Sequence, residues 1–214
     1  MTSKRSSKEE KFDGVEDESF KINKQILIKD QSFIILDTET SGLDKKAQLI
    51  SLGIVELKNG EVEIKKSLSQ SYNWLASNGT SIVHGELSRK ISAEKEKEQL
   101  IELLHRIGNK PIVGHHIRFD ISVLNKKIKT YFPTYKIKNK LLDTNDLWKR
   151  ITNSSDTNTL DELCKKLDIP IENRHTALGD AYLTAMIFMK LVEKFKKRGV
   201  LRMKDLLRKK IGLF

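Results

Sequence analysis

The sequence predicts an α/β protein: a mixed central sheet with helices on its faces. Two observations lead there. Apolar, β-branched runs of strand length crowd the first half of the folded part, and helical spacings alternate with short apolar runs in the second. Ahead of them, residues 1–25 are charged, poor in large apolar side chains and without periodicity, which predicts a flexible N-terminal tail. One folded domain is expected over residues 26–195, followed by a basic helical extension over 196–214.

Within the domain, SFIILD (Ser32 to Asp37) reads as a buried strand because an apolar run of that length ends in acidic and hydroxyl residues. The stretch from Gln48 to Gln70 holds two strand-like runs joined by Asn59-Gly60. That pair tolerates positive φ and favours a tight antiparallel hairpin, so three strands are expected to open the domain. Leu100, Leu103, Leu104 and Ile107 then recur at helical spacing between Glu94 and Ile107, and Gly108 and Pro111 end that helix. Pro111 to His115 is a short apolar strand, and the segment from Arg118 onward returns to helical spacing. Leu141 to Thr144 predicts a further strand, with helices around Asp146 to Ile151 and Thr159 to Leu167. Thr159 and Glu162 have the spacing of a capping box. The long segment Ala177 to Lys197 is apolar early and basic late, as expected of a helix that packs on the sheet and then emerges into solvent.

The totals narrow the partners. Of 214 residues, 38% are hydrophobic and 32% charged, which excludes a membrane-embedded or fully disordered chain. No apolar stretch approaches the roughly 20 residues that span a bilayer, and the first residues lack the apolar core of a secretory signal. Cys164 is the only cysteine; its helical context predicts a buried structural thiol, and its isolation fits a reducing cytoplasm. The formal charge of +11 is uneven: residues 126–150 carry eight basic against two acidic side chains, and residues 190–214 ten against two. Two basic zones suit a polyanion. In the second zone Leu201, Leu206, Leu207 and Ile211 supply an apolar strip for a docking helix.

Asp37 and Glu39 stand two apart at the end of the first strand, and the strand period of two sends both to one face. Like charges so close repel unless a cation lies between them, and magnesium or manganese is the usual solution. TSGLD (Thr40 to Asp44) follows, small and polar enough for backbone amides to approach a sugar-phosphate. Asp120 falls early in a helix, where an anion is favourable. His175 precedes Asp180 by five residues with a helix start between them, placing an imidazole on a loop and a carboxylate on a helix.

Together and in this order, DTETSGL, GHHIRFD and HTALGDA resemble the motifs of the DEDD exonuclease superfamily, in its histidine subclass. The resemblance extends from about Ser32 to Lys190, and all five polar positions are filled. It implies a ribonuclease H-like fold, two divalent ions (Mg2+ or Mn2+) held by Asp37, Glu39, Asp120 and Asp180, and His175 as general base. The tyrosine subclass would have tyrosine where Thr176 stands. It further implies that Thr38, Thr40 and Leu43 line the terminal nucleotide, with Leu43 wedged beside the last base, and that His84 lies near the substrate. Phe119 is expected either to stack there or to pack in the core, and one of His115 and His116 to reach the substrate cleft. The expected reaction is 3′-to-5′ removal of nucleoside 5′-monophosphates from DNA in proofreading or repair, with single-stranded DNA the first expected substrate and a DNA polymerase a candidate partner. RNA trimming by the same catalytic set is the alternative. A nucleic-acid-binding protein that lost activity is the third reading, disfavoured because no acid of the set is missing.

Overall fold

The computed structural model describes residues 22–73, 82–83, 86–87 and 91–208. The expected tail before residue 22, His84 and Ile211 lie outside the described residues. The central sheet runs in the order β3 (Glu61–Val62), β2 (Leu49–Lys58), β1 (Phe33–Thr40), β7 (Ile112–Gly114), β8 (Leu141–Asp143). β1 pairs antiparallel with β2 and parallel with β7, which pairs parallel with β8. The sheet is therefore mixed, as expected.

The opening strands need one correction. The run after Asn59-Gly60 does not continue as a single strand: β3 (Glu61–Val62) closes the expected hairpin, a 3-10 turn at Ile64–Lys66 interrupts it, and β4 (Leu68–Ser71) rejoins β2 further along. The two consecutive lysines of the turn place charge where a continuous edge strand would run. A second, small hairpin pairs β5 (Ile82–Val83) with β6 (Glu86–Leu87).

Alternation along the strands builds a core on each face of the sheet. Phe33, Ile35, Val55, Leu57 and Val113 pack under α3 (Thr144–Thr152), α4 (Leu160–Lys166) and α5 (Ala177–Lys197). Ile34, Leu36, Leu52, Ile54 and Ile112 pack under α1 (Ala93–Ile107) and α2 (Arg118–Tyr131). Full burial of one such side chain is worth about 1.5–3 kcal/mol, so the sheet is held from both sides. Gly53 admits the closest of these contacts: a Cβ there would lie 2.3 Å from the Ala177 carbonyl, where α5 begins.

The end of α5 meets expectation on one face only. Glu193, Lys194, Lys196 and Lys197 are exposed, but Leu191 and Phe195 stay fully buried on the other face, with Arg150 5.0 Å above the Phe195 ring. Residues 201–207 cover this end. Leu27 bridges Arg202, and α6 (Met203–Leu206) buries Met203 and Leu206 while Arg150 donates to the Leu206 carbonyl at 2.6 Å. Cys164 is buried in the same core. Among the described residues no helix is long and apolar enough to cross a membrane.

Candidate active site

β1, β7 and β8 run parallel, so their carboxyl ends open on one edge of the sheet, where α/β proteins assemble their sites. A register shift between Glu39 and Thr40 ends the β1 ladder there. Asp37 and Glu39 share the face of Phe33 and Ile35 and point toward α5; Thr38 points the other way, toward α2. Each helix brings an acid in its first turn: Asp120 in α2 and Asp180 in α5.

One carboxylate oxygen from each of Asp37, Glu39 and Asp180 lies within 4.8 Å of the others. Asp120 is held beside them. The Thr38 amide and hydroxyl both donate to its Oδ1, at 3.1 and 2.6 Å, and its side chain is buried. Asp37 is pushed well above the usual carboxylate range, by burial first and then by the charges of Asp120, Asp180 and Glu39, with the Arg174 guanidinium pulling the other way. Burial raises Asp120 to about 7, although the bonds from Thr38 oppose the rise.

Asp180 is buried and unevenly partnered: Arg174 donates to Oδ2, whereas Oδ1 has no hydrogen-bond partner among the described residues. Carboxylates alone make up the donor set, crowded and short of positive charge, with one buried oxygen unsatisfied. That set fits a hard divalent cation and would suit no soft metal.

His175, directly after Arg174, is exposed and in the left-handed region at φ 62°. Its loop is locked to α5: Thr176 Oγ1 accepts from the Gly179 amide at 3.1 Å and donates to the Asn173 carbonyl at 3.0 Å. A Cβ on Gly179 would stand 1.9 Å from that carbonyl oxygen, so only glycine allows the approach.

The expected nucleotide contacts separate into two groups. Leu43 is 88% exposed on a loop that Lys126 ties down by donating to the Lys45 carbonyl at 2.6 Å. Phe119 is half-buried against the α1–α2 core. The hydroxyls of Thr38 and Thr40 are already committed internally, to Asp120 and to the Gly42 carbonyl. His115 is turned inward, its ring nitrogens 2.9 Å from Thr144 Oγ1 and from the Asn158 carbonyl, and burial with the neighbouring His116 lowers it to about 4. His116, at φ 59°, is the exposed member of that pair.

Sequence reasoning passed over Arg174, Asp161 and Asp143. Arg174 also holds Asp161, through Nε at 2.5 Å. Asp143 receives the Ile117 amide at 3.2 Å, which fixes the approach to α2, and adds its charge beside Asp120. The only signal for Arg174 was its place directly before His175.

Residues 34–188 match the sequence profile of the exonuclease family RNase_T. The DNA polymerase III PolC-type of Staphylococcus aureus is 27% identical over 188 residues, which cover 86% of this chain and 13% of the relative; the chain thus spans a small part of that polymerase. Among solved structures, E. coli exonuclease I in complex with a dT13 oligonucleotide superimposes with a TM-score of 0.58 at 19% identity, over 78% of this chain and 42% of that one. S. pombe Pop2p in its Mg2+- and Mn2+-bound form gives 0.57 at 15% identity, over 79% and 87%. At these identities the structural matches show the fold, which is ribonuclease H-like.

Proposed function

The chain belongs to the RNase_T exonuclease family, and on that premise we propose that it is a cytoplasmic, metal-dependent 3′-to-5′ exonuclease of the histidine subclass, acting on single-stranded DNA ends in proofreading or repair. The observation that carries this reading is the convergence of the Asp37, Glu39 and Asp180 oxygens within 4.8 Å, beside a buried Asp180 Oδ1 that lacks a partner among the described residues. Asp37, Glu39, Asp120 and Asp180 would hold two divalent ions, Mg2+ or Mn2+. Bound there, the ions supply an activated water and neutralise charge on the departing 3′ oxygen.

The chain's own residues do the rest. His175 accepts the water's proton at a ring nitrogen, the general-base task that histidine performs most often. Its exposed position on a locked loop lets it reach a bound end without competing for the acids. Leu43 packs against the last base and Phe119 stacks there; of the two adjacent histidines the exposed His116, rather than the inward His115, meets the backbone. Thr38 and Thr40 act through the acids and the loop they brace. The likeness to a PolC-type polymerase supports a DNA polymerase as partner.

The test compares mononucleotide release from 3′-labelled single-stranded DNA, duplex DNA and short RNA, with Mg2+, Mn2+ or EDTA. Release from single-stranded DNA that EDTA abolishes is expected. Preference for RNA would move the enzyme to RNA trimming, and no release from any substrate would overturn the enzymatic reading.

A further inference from the structure

Arg174 bridges two carboxylates of different character. Its Nε donates to Asp161 at 2.5 Å, in the first turn of α4, and its Nη1 donates to Asp180 Oδ2, in the first turn of α5. The Asp161 side chain is 43% exposed and the Asp180 side chain 11%, so one arm of the guanidinium lies toward solvent and the other against the acid cluster. Arginine stays charged under all working conditions, and its fork lets Nε and Nη1 serve separate partners at once. Arg174 also acts electrostatically on Asp37, across the cluster from Asp180.

We infer that Arg174 is the built-in counter-cation of the acid cluster, and that a divalent ion enters in competition with its guanidinium, which then rests on Asp161 alone. The inference depends on the metal-site reading above. Crowded carboxylates need positive charge in the metal-free protein. Arg174 supplies it, and only the Nη1 bond has to break for the guanidinium to withdraw. The Nε bond to Asp161 keeps it nearby in a solvated pair. The opposing arrangement, in which Arg174 merely orients Asp180 toward the ion, predicts the opposite sign: removing an orienting partner weakens metal binding, whereas removing a competing charge tightens it.

The experiment titrates Mn2+ alone into the EDTA-stripped full chain, following free Mn2+ by electron paramagnetic resonance and melting temperature in parallel. Arg174→Gln should tighten Mn2+ binding by about 5-fold or more, the lower end of coupling between two linked equilibria. Stripped of metal it should melt below the stripped wild type, and Mn2+ should raise its melting temperature by more. Asp161→Asn should weaken Mn2+ binding, because the guanidinium then leans wholly on Asp180, and the double variant should behave like Arg174→Gln. If Arg174→Gln fails to fold, the Asp161→Asn shift reads the same coupling. Unchanged or weaker binding in Arg174→Gln, or unchanged binding in Asp161→Asn, overturns the inference. Wild type that binds no Mn2+, or Asp180→Asn that binds it equally well, overturns the metal site itself.

Discussion

Among the described residues two sites bury carboxylates, and they treat them in opposite ways. Glu96, near the start of α1, is 3% exposed and fully partnered. Its Oε1 accepts from the Asn73 amide at 2.7 Å and from Lys127 at 2.9 Å, and its Oε2 from the Tyr131 hydroxyl at 2.6 Å. Burial alone would push it up, but the bonds from Tyr131, Lys127 and Asn73 outweigh that and hold it below its ordinary value. At the end of β1 the acids face one another instead: Asp37 and Asp120 are raised, and Asp180 keeps a buried oxygen without a partner among the described residues. The first arrangement ties β4, α1 and α2 together. The second leaves charge unbalanced where a ligand can balance it, which is how a fold reserves a site.

Removing Glu96 sharpens the contrast with the largest stability effect. Glu96→Ala strands Lys127, whose side chain is 15% exposed, beside the Asn73 amide and Tyr131 hydroxyl, and should cost about 3–5 kcal/mol in denaturant unfolding. The rate per folded molecule should stay near wild type; a large rate loss without lost stability would erase the distinction between the two sites.

A smaller effect separates them by pH. For Asp120 the folded value of about 7 exceeds the ordinary value of 3.8, so between those values the native protein binds more protons than the unfolded chain. Stability of the EDTA-treated protein should therefore fall as pH rises through that window. Glu96 works in the reverse sense: its lowered value contributes stability that is lost only as pH falls below the carboxylate range. Thermal melts in EDTA should show the decline, and Asp120→Asn should lessen it, leaving the share that Asp37, raised in the same sense, contributes. An undiminished slope in Asp120→Asn would assign the pH dependence elsewhere.

Local rules carried much of this into the sequence. The period of two put Asp37 and Glu39 on one face, the capping box at Thr159 and Glu162 is formed as the spacing predicts, and Ala177–Lys197 is helical over the expected bounds. What stayed hidden needs elements far apart to meet. Nothing in the spacing of Asp161, Arg174 and Asp180 reveals that one guanidinium spans α4 and α5. The lysines at the end of α5 masked Phe195, buried beneath α6. His115 looked available because its partners, Thr144 and the Asn158 carbonyl, come from later segments. The 3-10 turn at Ile64–Lys66 broke a strand whose apolar pattern ran through it.

The most direct measurement of the central claim is the rate of nucleotide release by Asp37→Asn at saturating Mg2+, normalised to folded protein. The account predicts a loss of roughly 10²- to 10³-fold or more, the scale of removing one charge-stabilising group from an active site. It also predicts a melting temperature in EDTA at or above that of the wild type, because a repelled charge has been removed. Near-normal release by Asp37→Asn would contradict it.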